Sequence, residues 1–400
     1  MRIGVIAGEA SGDYLGAGLL AALRARPGVG EISAEGVTGP QLRAAGCRTL
    51  FDIDQLSLLG VAEVVRALPR VLRMRRALIA HFIAAAPDVV VGIDAPDFNL
   101  GVERALRAAG IPTVHYVSPT VWAWRSGRVR TIARSVDCML TLFPFEQAVY
   151  RQAGVDVAWV GHPLADEIPL QLERPAGDTA RRGDGHTIAV LPGSRSSELR
   201  YLAVPFARTV AWLHQRQPSL RFVAPMASAA AREVFAAALA EHAPSAAVRL
   251  VDGRSREVMA NADAVLAACG TAALEAMLLK RPMVVAYRIS GLTHALLRWL
   301  RLIKIDHYSL PNLLAAACPA DSVPADRRSH LPVREFIQDE VDPAKMGAAL
   351  RDLLGDAQAR APMLAEFERL HRLLRRGASE RAATEVLRLA GHVRAPGVSC

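Results

Sequence analysis

Short apolar runs that stop at Gly, Asp or Pro alternate with Ala-, Leu- and Arg-rich helical stretches along most of the chain, and this alternation most restricts the fold. It is the signature of repeated β-α units, whose apolar strands are buried in parallel sheets covered by helices. The first unit runs Arg2-Ile-Gly-Val-Ile-Ala7, then the turn Gly8-Glu-Ala-Ser-Gly-Asp13, then a helix through Leu23. Further strands are read at Asp88–Ile93, Thr113–Val117, Asp137–Leu142 and Asp156–Val160. A polar stretch from about Leu170 to His186, with Pro175, Gly177, Gly183 and Gly185, then breaks the pattern and reads as a linker. Alternation resumes at Thr187, with strands near Arg221–Ala224, Val248–Val251, Ala264–Ala268 and Pro282–Ala286, and gives way after about Ala344 to Leu/Ala/Arg-rich helix. A chain of 400 residues exceeds one ordinary core. The expected architecture is therefore α/β, with two Rossmann-like domains facing across a cleft: residues 1–168, a linker at 169–186, residues 187–343, and a helical segment at 344–400.

Composition excludes several classes. Hydrophobic residues make up 52% of the chain, far from a disordered composition. The five cysteines, Cys47, Cys138, Cys269, Cys318 and Cys400, form no Cys-x-x-Cys pair, which argues against a zinc site or a disulfide framework and for a reduced, cytosolic setting. Met1-Arg2 runs straight into the first strand and leaves no room for a signal peptide. The longest uncharged stretch, Ala108 to Trp124, contains prolines and His115 and is shorter than the ~20 residues a spanning helix needs, so the chain is not expected to cross a membrane.

The formal net charge of +9 admits nucleic acid, an acidic substrate or an anionic membrane surface as partner. No nucleic-acid motif supports the first. Five arginines fall between Arg66 and Arg76. At helical spacing Arg66, Arg70 and Arg73 share one face, while Val64, Leu68, Val71, Leu72, Ile79 and Phe82 gather opposite; this is the pattern of an interfacial helix, or of a surface helix with a solvated basic stripe. Pro69 interrupts the segment, and Arg75 falls on its apolar side.

Chemistry concentrates where strands end. Val190-Leu-Pro-Gly-Ser-Arg195 offers the Ser194 hydroxyl, backbone amides and the Arg195 guanidinium, which suits a phosphate. Gly270-Thr-Ala-Ala-Leu-Glu275 opens a helix at Thr271, where the free amides of Gly270, Thr271 and Ala272 favour an anion, and Glu275 is placed to accept from ribose hydroxyls. Together they suggest a cradle for a nucleoside diphosphate; taken singly, Arg195 can be a loop ion pair and Glu275 a dipole complement. Glu9, Ser11 and Asp13 follow the first strand, Asp94 and Asp97 the strand Val89–Ile93, and His162 the strand ending at Val160, so all are candidates for a cleft between sheets. His162 reads equally as a histidine bonded at a domain junction and Asp97 as a turn residue, while Trp122 and Trp124 read as core or as the lining of an acyl or sugar surface. Gly8-Glu-Ala-Ser-Gly-Asp13 lacks the Gly-x-Gly-x-x-Gly spacing of a nicotinamide enzyme. A guess for the uracil edge is Val251-Asp-Gly-Arg254.

These turns belong to longer blocks. Gly8–Asp13, Gly92-Ile-Asp-Ala-Pro-Asp-Phe-Asn99, Tyr116-Val-Ser-Pro-Thr-Val-Trp-Ala-Trp-Arg125, Gly161-His-Pro-Leu-Ala-Asp166, Leu191–Arg195, Gly270–Glu275, Ser309-Leu-Pro-Asn-Leu-Leu314 and Glu335-Phe-Ile-Gln338 fall in order. Together they resemble the lipid-A-disaccharide synthases. Cys269 departs from a Ser common in the family, which leaves the backbone cradle intact. The resemblance implies an inverting, metal-independent glycosyltransferase of the two-domain GT-B type, without cofactor. Its reaction joins UDP-2,3-diacylglucosamine to 2,3-diacylglucosamine 1-phosphate, releasing UDP, in lipid A and lipopolysaccharide biosynthesis. It further implies Asp94 as general base for the acceptor's 6-hydroxyl, with Asp97 and Glu9 as alternatives; Arg195 and the helix at Thr271 stabilising the departing UDP; Asn312 reaching the donor; peripheral attachment to the cytoplasmic face of the inner membrane through the Arg66–Arg73 stripe; and a homodimer. A UDP-sugar epimerase of the same build is the rival reading, since it needs the cradle but not the basic stripe.

Overall fold

The computed structural model describes residues 1–56, 61–119, 128–171, 185–291, 306–319 and 331–391, with backbone only at 61–67 and 359. The chain divides into two units, Met1–Asp166 with Leu374–Cys400, and Glu167–Leu373. Each unit is a wholly parallel sheet.

The first sheet contains β1 (Arg2–Ala7), β2 (Ser33–Thr38), β3 (Arg48–Asp52), β4 (Val89–Ile93), β5 (Thr113–Tyr116), β6 (Cys138–Thr141) and β7 (Asp156–Trp159) in the order β3-β2-β1-β4-β5-β6-β7. Its central strands β1 and β4 are almost wholly buried, as continuous apolar runs covered on both faces must be. The second contains β8 (Thr187–Leu191), β9 (Arg221–Met226), β10 (Val248–Asp252), β11 (Ala264–Ala268), β12 (Met283–Tyr287) and β13 (Arg334–Ile337) in the order β10-β9-β8-β11-β12-β13. In both, the direction of strand succession reverses once, between β1 and β4 and between β8 and β11. In open sheets such a reversal leaves a crevice at the carboxyl ends of the two strands.

The helical segment after 344 is shared between the units. The helix Pro343–Gly355 contributes Met346, Ala349, Leu350 and Leu354 to the core of the second unit. The helix Ala378–Leu389 instead buries Ala378, Ala382, Ala383, Val386 and Leu387 against β1, β4 and the helix Ala10–Arg24 of the first. Asp166, from the Gly161–Asp166 block, accepts the amides of Gly377 and Ala378 at 2.9 and 2.6 Å and so caps that helix. The first unit thus ends its N-terminal stretch at Asp166 and is completed by this returning helix.

The helix Val61–Ala85 turns its apolar side inward, with Met74, Leu78 and Phe82 buried and Val71 and Ile79 packed partly against them. Val71 is half-buried, packed against this core on one side. Leu68 and Leu72 remain 50% and 37% exposed beside the exposed Arg70 and Arg73. The Arg66 side chain, Trp122 and Trp124 lie outside what the structure describes. No described helix is long and apolar enough to cross a membrane.

Candidate active site

At the carboxyl ends of β8–β11 the second unit opens a cavity of about 400 Å³. Its wall includes Gly193, Ser194 and Arg195 after β8, Pro225–Ala227 at the end of β9, Gly253 and Ser255 after β10, and Ala268–Ala272 with Glu275 after β11. The two turns singled out in the sequence are thus brought together across the strand reversal. Gly270 caps the helix Thr271–Leu278 with no side chain to take up its first amides, so the positive end of the helix dipole faces the cavity. Burial raises the Cys269 thiol well above its usual range and keeps it protonated in this wall.

One occupant of the cradle was not anticipated. The Glu198 carboxylate accepts the Ser194 amide at 2.9 Å and the Arg195 amide at 3.3 Å, and pairs with the Arg195 guanidinium at 3.3 Å. The backbone amides expected to hold phosphate are therefore engaged by the helix Ser196–Arg216 itself. This is one half of a capping box: the N3 carboxylate reaches back to the amides before the helix, while Arg195, whose side chain only donates, cannot supply the other half. The Arg195 side chain is 78% exposed, leaving its remaining donors open to the cavity. Glu275 also has a partner: Arg256 Nε donates to it at 2.9 Å, and Arg256 Nη1 reaches Glu167 at 3.3 Å.

Asn312 stands apart from the described cavity lining. It is fully buried and is not part of the cavity wall; its amide donates to the Val333 carbonyl at 2.8 Å and to Glu335 at 2.7 Å, and its oxygen accepts from Val333 N–H at 3.0 Å. These bonds fasten the helix Leu310–Ala317 to the strand that begins at Arg334. Glu335 completes the lock by accepting from the Tyr308 and Ser309 amides and the Ser309 hydroxyl. Leu310, two positions earlier, is the residue of that block that reaches the cavity.

In the first unit the turn after β1 and the turn after β4 pack against each other at the other strand reversal. Their approach is so close that a β-carbon on Gly8 would stand 2.0 Å from that of Ala95. Asp94 and Ala95 both adopt left-handed backbone, φ 53° and 42°, a conformation costing non-glycine residues ~1–3 kcal/mol each. The Asp94 amide is tied to the Tyr116 carbonyl at 2.9 Å. Buried Asn99 donates to the carbonyls of Asp94 at 2.7 Å and of Ile6 and Ile93 at 3.3 Å, clamping the turn to the ends of β1 and β4. The Asp94 carboxylate makes no hydrogen bond or ion pair among the described residues, and it is only partly buried.

The alternatives fare differently. The Asp97 carboxylate is paired with Arg128 and largely exposed. Glu9 and Ser11 are exposed at the start of the helix Ala10–Arg24, and Glu9 makes no capping bond. Asp13 is buried and accepts the amides of Gly39, Gln41 and Leu42 at 2.7–3.1 Å, a structural role at the start of the next helix. His162 Nδ1 accepts the Leu164 amide at 3.2 Å, its own amide donates to Leu374, and its ring lies against Phe143. Burial pushes its pKa down to about 4, so the imidazole stands neutral.

Two parallel α/β units, each with reactive loops at its strand reversal, and a nucleotide-sized cavity in the second define the GT-B class of glycosyltransferases and related sugar-nucleotide enzymes. Similarity to solved structures agrees in fold. The putative UDP-N-acetylglucosamine 2-epimerase of Listeria monocytogenes superposes with a TM-score of 0.61 at 14% identity, covering 96% of this chain and 94% of that one. CalG4, the calicheamicin glycosyltransferase, does so at 0.55 and 16%, covering 98% and 99%. Residues 3–386 match the family model described as lipid-A-disaccharide synthetase. A lipid-A-disaccharide synthase from Alkalilimnicola ehrlichii is 51% identical over 98% of this chain and 99% of its own. The chain belongs to the lipid-A-disaccharide synthase family, glycosyltransferases that join UDP-2,3-diacylglucosamine to 2,3-diacylglucosamine 1-phosphate in lipid A biosynthesis.

Proposed function

We propose that Asp94 is the general base of this transfer, taking the proton of the acceptor's 6-hydroxyl as its oxygen attacks the donor's anomeric carbon. The observation that carries this reading is the unpaired Asp94 carboxylate on a strained turn that Asn99 clamps to two strand ends. A base must be positioned before it is basic, and a clamped loop supplies that positioning. As the glycosidic bond to UDP breaks, negative charge grows on the β-phosphate. Arg195 and the amino end of the helix Thr271–Leu278 stabilise it. Ser194 and Glu275 line the same cavity and serve as donor contacts to phosphate and ribose.

The reading is tested by incubating the protein with both lipid substrates in detergent, with chelator, and following products by mass spectrometry. A tetraacyl disaccharide 1-phosphate plus UDP is expected. UDP release without disaccharide would transfer the cavity to another sugar-nucleotide reaction.

Because both substrates carry acyl chains, the protein has to meet a bilayer surface. Leu68 and Leu72, exposed beside Arg70 and Arg73, support peripheral attachment there by apolar insertion and attraction to anionic headgroups. Arg70→Glu with Arg73→Glu is expected to release the protein from phosphatidylglycerol vesicles in sedimentation; unchanged binding would remove the helix from that role.

A further inference from the structure

Arg75 is the residue that fits the basic-apolar helix least, falling on the side where Met74 and Leu78 are buried. Its side chain leaves that helix and lies along the helix Pro96–Ala108. It crosses at Gly101, where an added β-carbon would stand 2.9 Å from Nη1. The guanidinium sits 5.4 Å from the centre of the Phe98 ring, and Nη2 donates to the Asp97 carbonyl at 2.9 Å. Its Nε is buried and has no partner among the described residues. Arg128, opening the helix Arg128–Ala133, pairs through Nη2 with the Asp97 carboxylate. Two guanidinium groups thus meet at one residue, three positions from Asp94.

This is an unfavourable place for cations. The amino end of a helix carries about half a positive charge, and arginines are favoured at the opposite end. Asp97 supplies one carboxylate, 86% exposed and screened by water, against two guanidinium groups. The cluster keeps an excess of positive charge and of N–H donors in planar forks, the geometry that matches phosphate oxygens.

We propose that Arg75 and Arg128 bind the acceptor's phosphomonoester, with Asp97 as the internal anion that keeps them oriented. The proposal rests on Asp94 as base for the 6-hydroxyl, since C1, which carries the phosphate, and C5, which carries the hydroxymethyl group, flank the ring oxygen of the same pyranose. The pair then selects a phosphorylated acceptor and orients its 6-hydroxyl toward the base.

The test compares 2,3-diacylglucosamine 1-phosphate with the same lipid lacking phosphate, in neutral detergent with UDP-2,3-diacylglucosamine fixed. For Arg75→Gln and Arg128→Gln, the KM for the phosphorylated acceptor is expected to rise ~10–100-fold, the range of a lost charge-assisted hydrogen bond. The preference for that acceptor over the unphosphorylated one should collapse, while UDP affinity by calorimetry stays as in the unsubstituted protein. Lys at either position should restore part of the preference. A preference retained in both Gln variants overturns the proposal, whatever their loss of rate. Phosphatidylglycerol that competes with the acceptor in the unsubstituted protein but not in Arg75→Gln also overturns it, by making a bilayer headgroup the occupant. If the Gln variants lose the preference while Asp94→Asn turns over normally, the phosphate subsite stands and the base is another group.

Discussion

The turn after β4 and the turn after β8 both flank a strand reversal, yet they hold their shapes by opposite means. The first is strained, with Asp94 and Ala95 at positive φ, and is clamped by the buried amide of Asn99, which leaves the Asp94 carboxylate unpaired. The second places its positive φ at Gly193, where it costs little, and is closed by a carboxylate of its own, Glu198, which takes up the Ser194 and Arg195 amides. A neutral clamp leaves the charge of the site free for chemistry. A charged clamp sets a resident anion beside the proposed diphosphate site, so a donor bound there would share or compete for the hydrogen-bond donors of that loop.

Four substitutions probe the contrast, from the largest effect down. Asp94→Asn is expected to slow transfer by ~10²–10⁴-fold, the usual cost of a lost general base, with UDP affinity nearly unchanged. Near-normal single-turnover rates would erase the distinction drawn for the first turn. Arg195→Ala should weaken UDP binding by ~10–100-fold, as expected for one charge-assisted hydrogen bond, and titration calorimetry reads this directly. Unaltered affinity would leave the helix Thr271–Leu278 to carry the anion alone.

His162 gives a pH signature confined to the first unit. Burial lowers its folded pKa from 6.5 to about 4, so the unfolded chain binds the extra proton between those values. Its contribution to stability is present above about pH 6.5 and is lost as the pH falls toward 4. His162→Gln should flatten this part of the melting temperature against pH; an unchanged slope there would assign the loss to other groups. The smallest effect belongs to Glu198→Gln, which retains an acceptor for the loop amides but removes the resident charge. A roughly threefold gain in UDP affinity is expected from relief of like-charge repulsion across a partly screened site. A loss of affinity instead would mean that Glu198 serves the donor by orienting Arg195.

Much of the plan was legible because central parallel strands are continuous apolar runs, and β1, β4, β8 and β11 were readable as such. The strands β2, β3 and β13 were missed. Ser33–Thr38 carries Glu35 and Gly36, while Arg48–Asp52 and Arg334–Ile337 are half-buried edge strands, with only Phe336 fully inside, and need no continuous apolar run. The site blocks stood out in the sequence, but not what each residue in them does. Asp13, Asp166 and Asn312 belong to motifs as conspicuous as that of Asp94, yet they cap helices or fasten a strand. Arg75 was visible only as an irregularity in an amphipathic pattern.

By itself the sequence determined the β-α alternation, the two sheets and the strand-end turns where chemistry gathers, because side-chain periodicity and turn composition act over a few residues. The tertiary structure decided which carboxylates are spent and which are free. Asp13 meets its amides 26 to 29 residues away and Asp166 its own 211 and 212 away, and partners at such separations are chosen by packing alone.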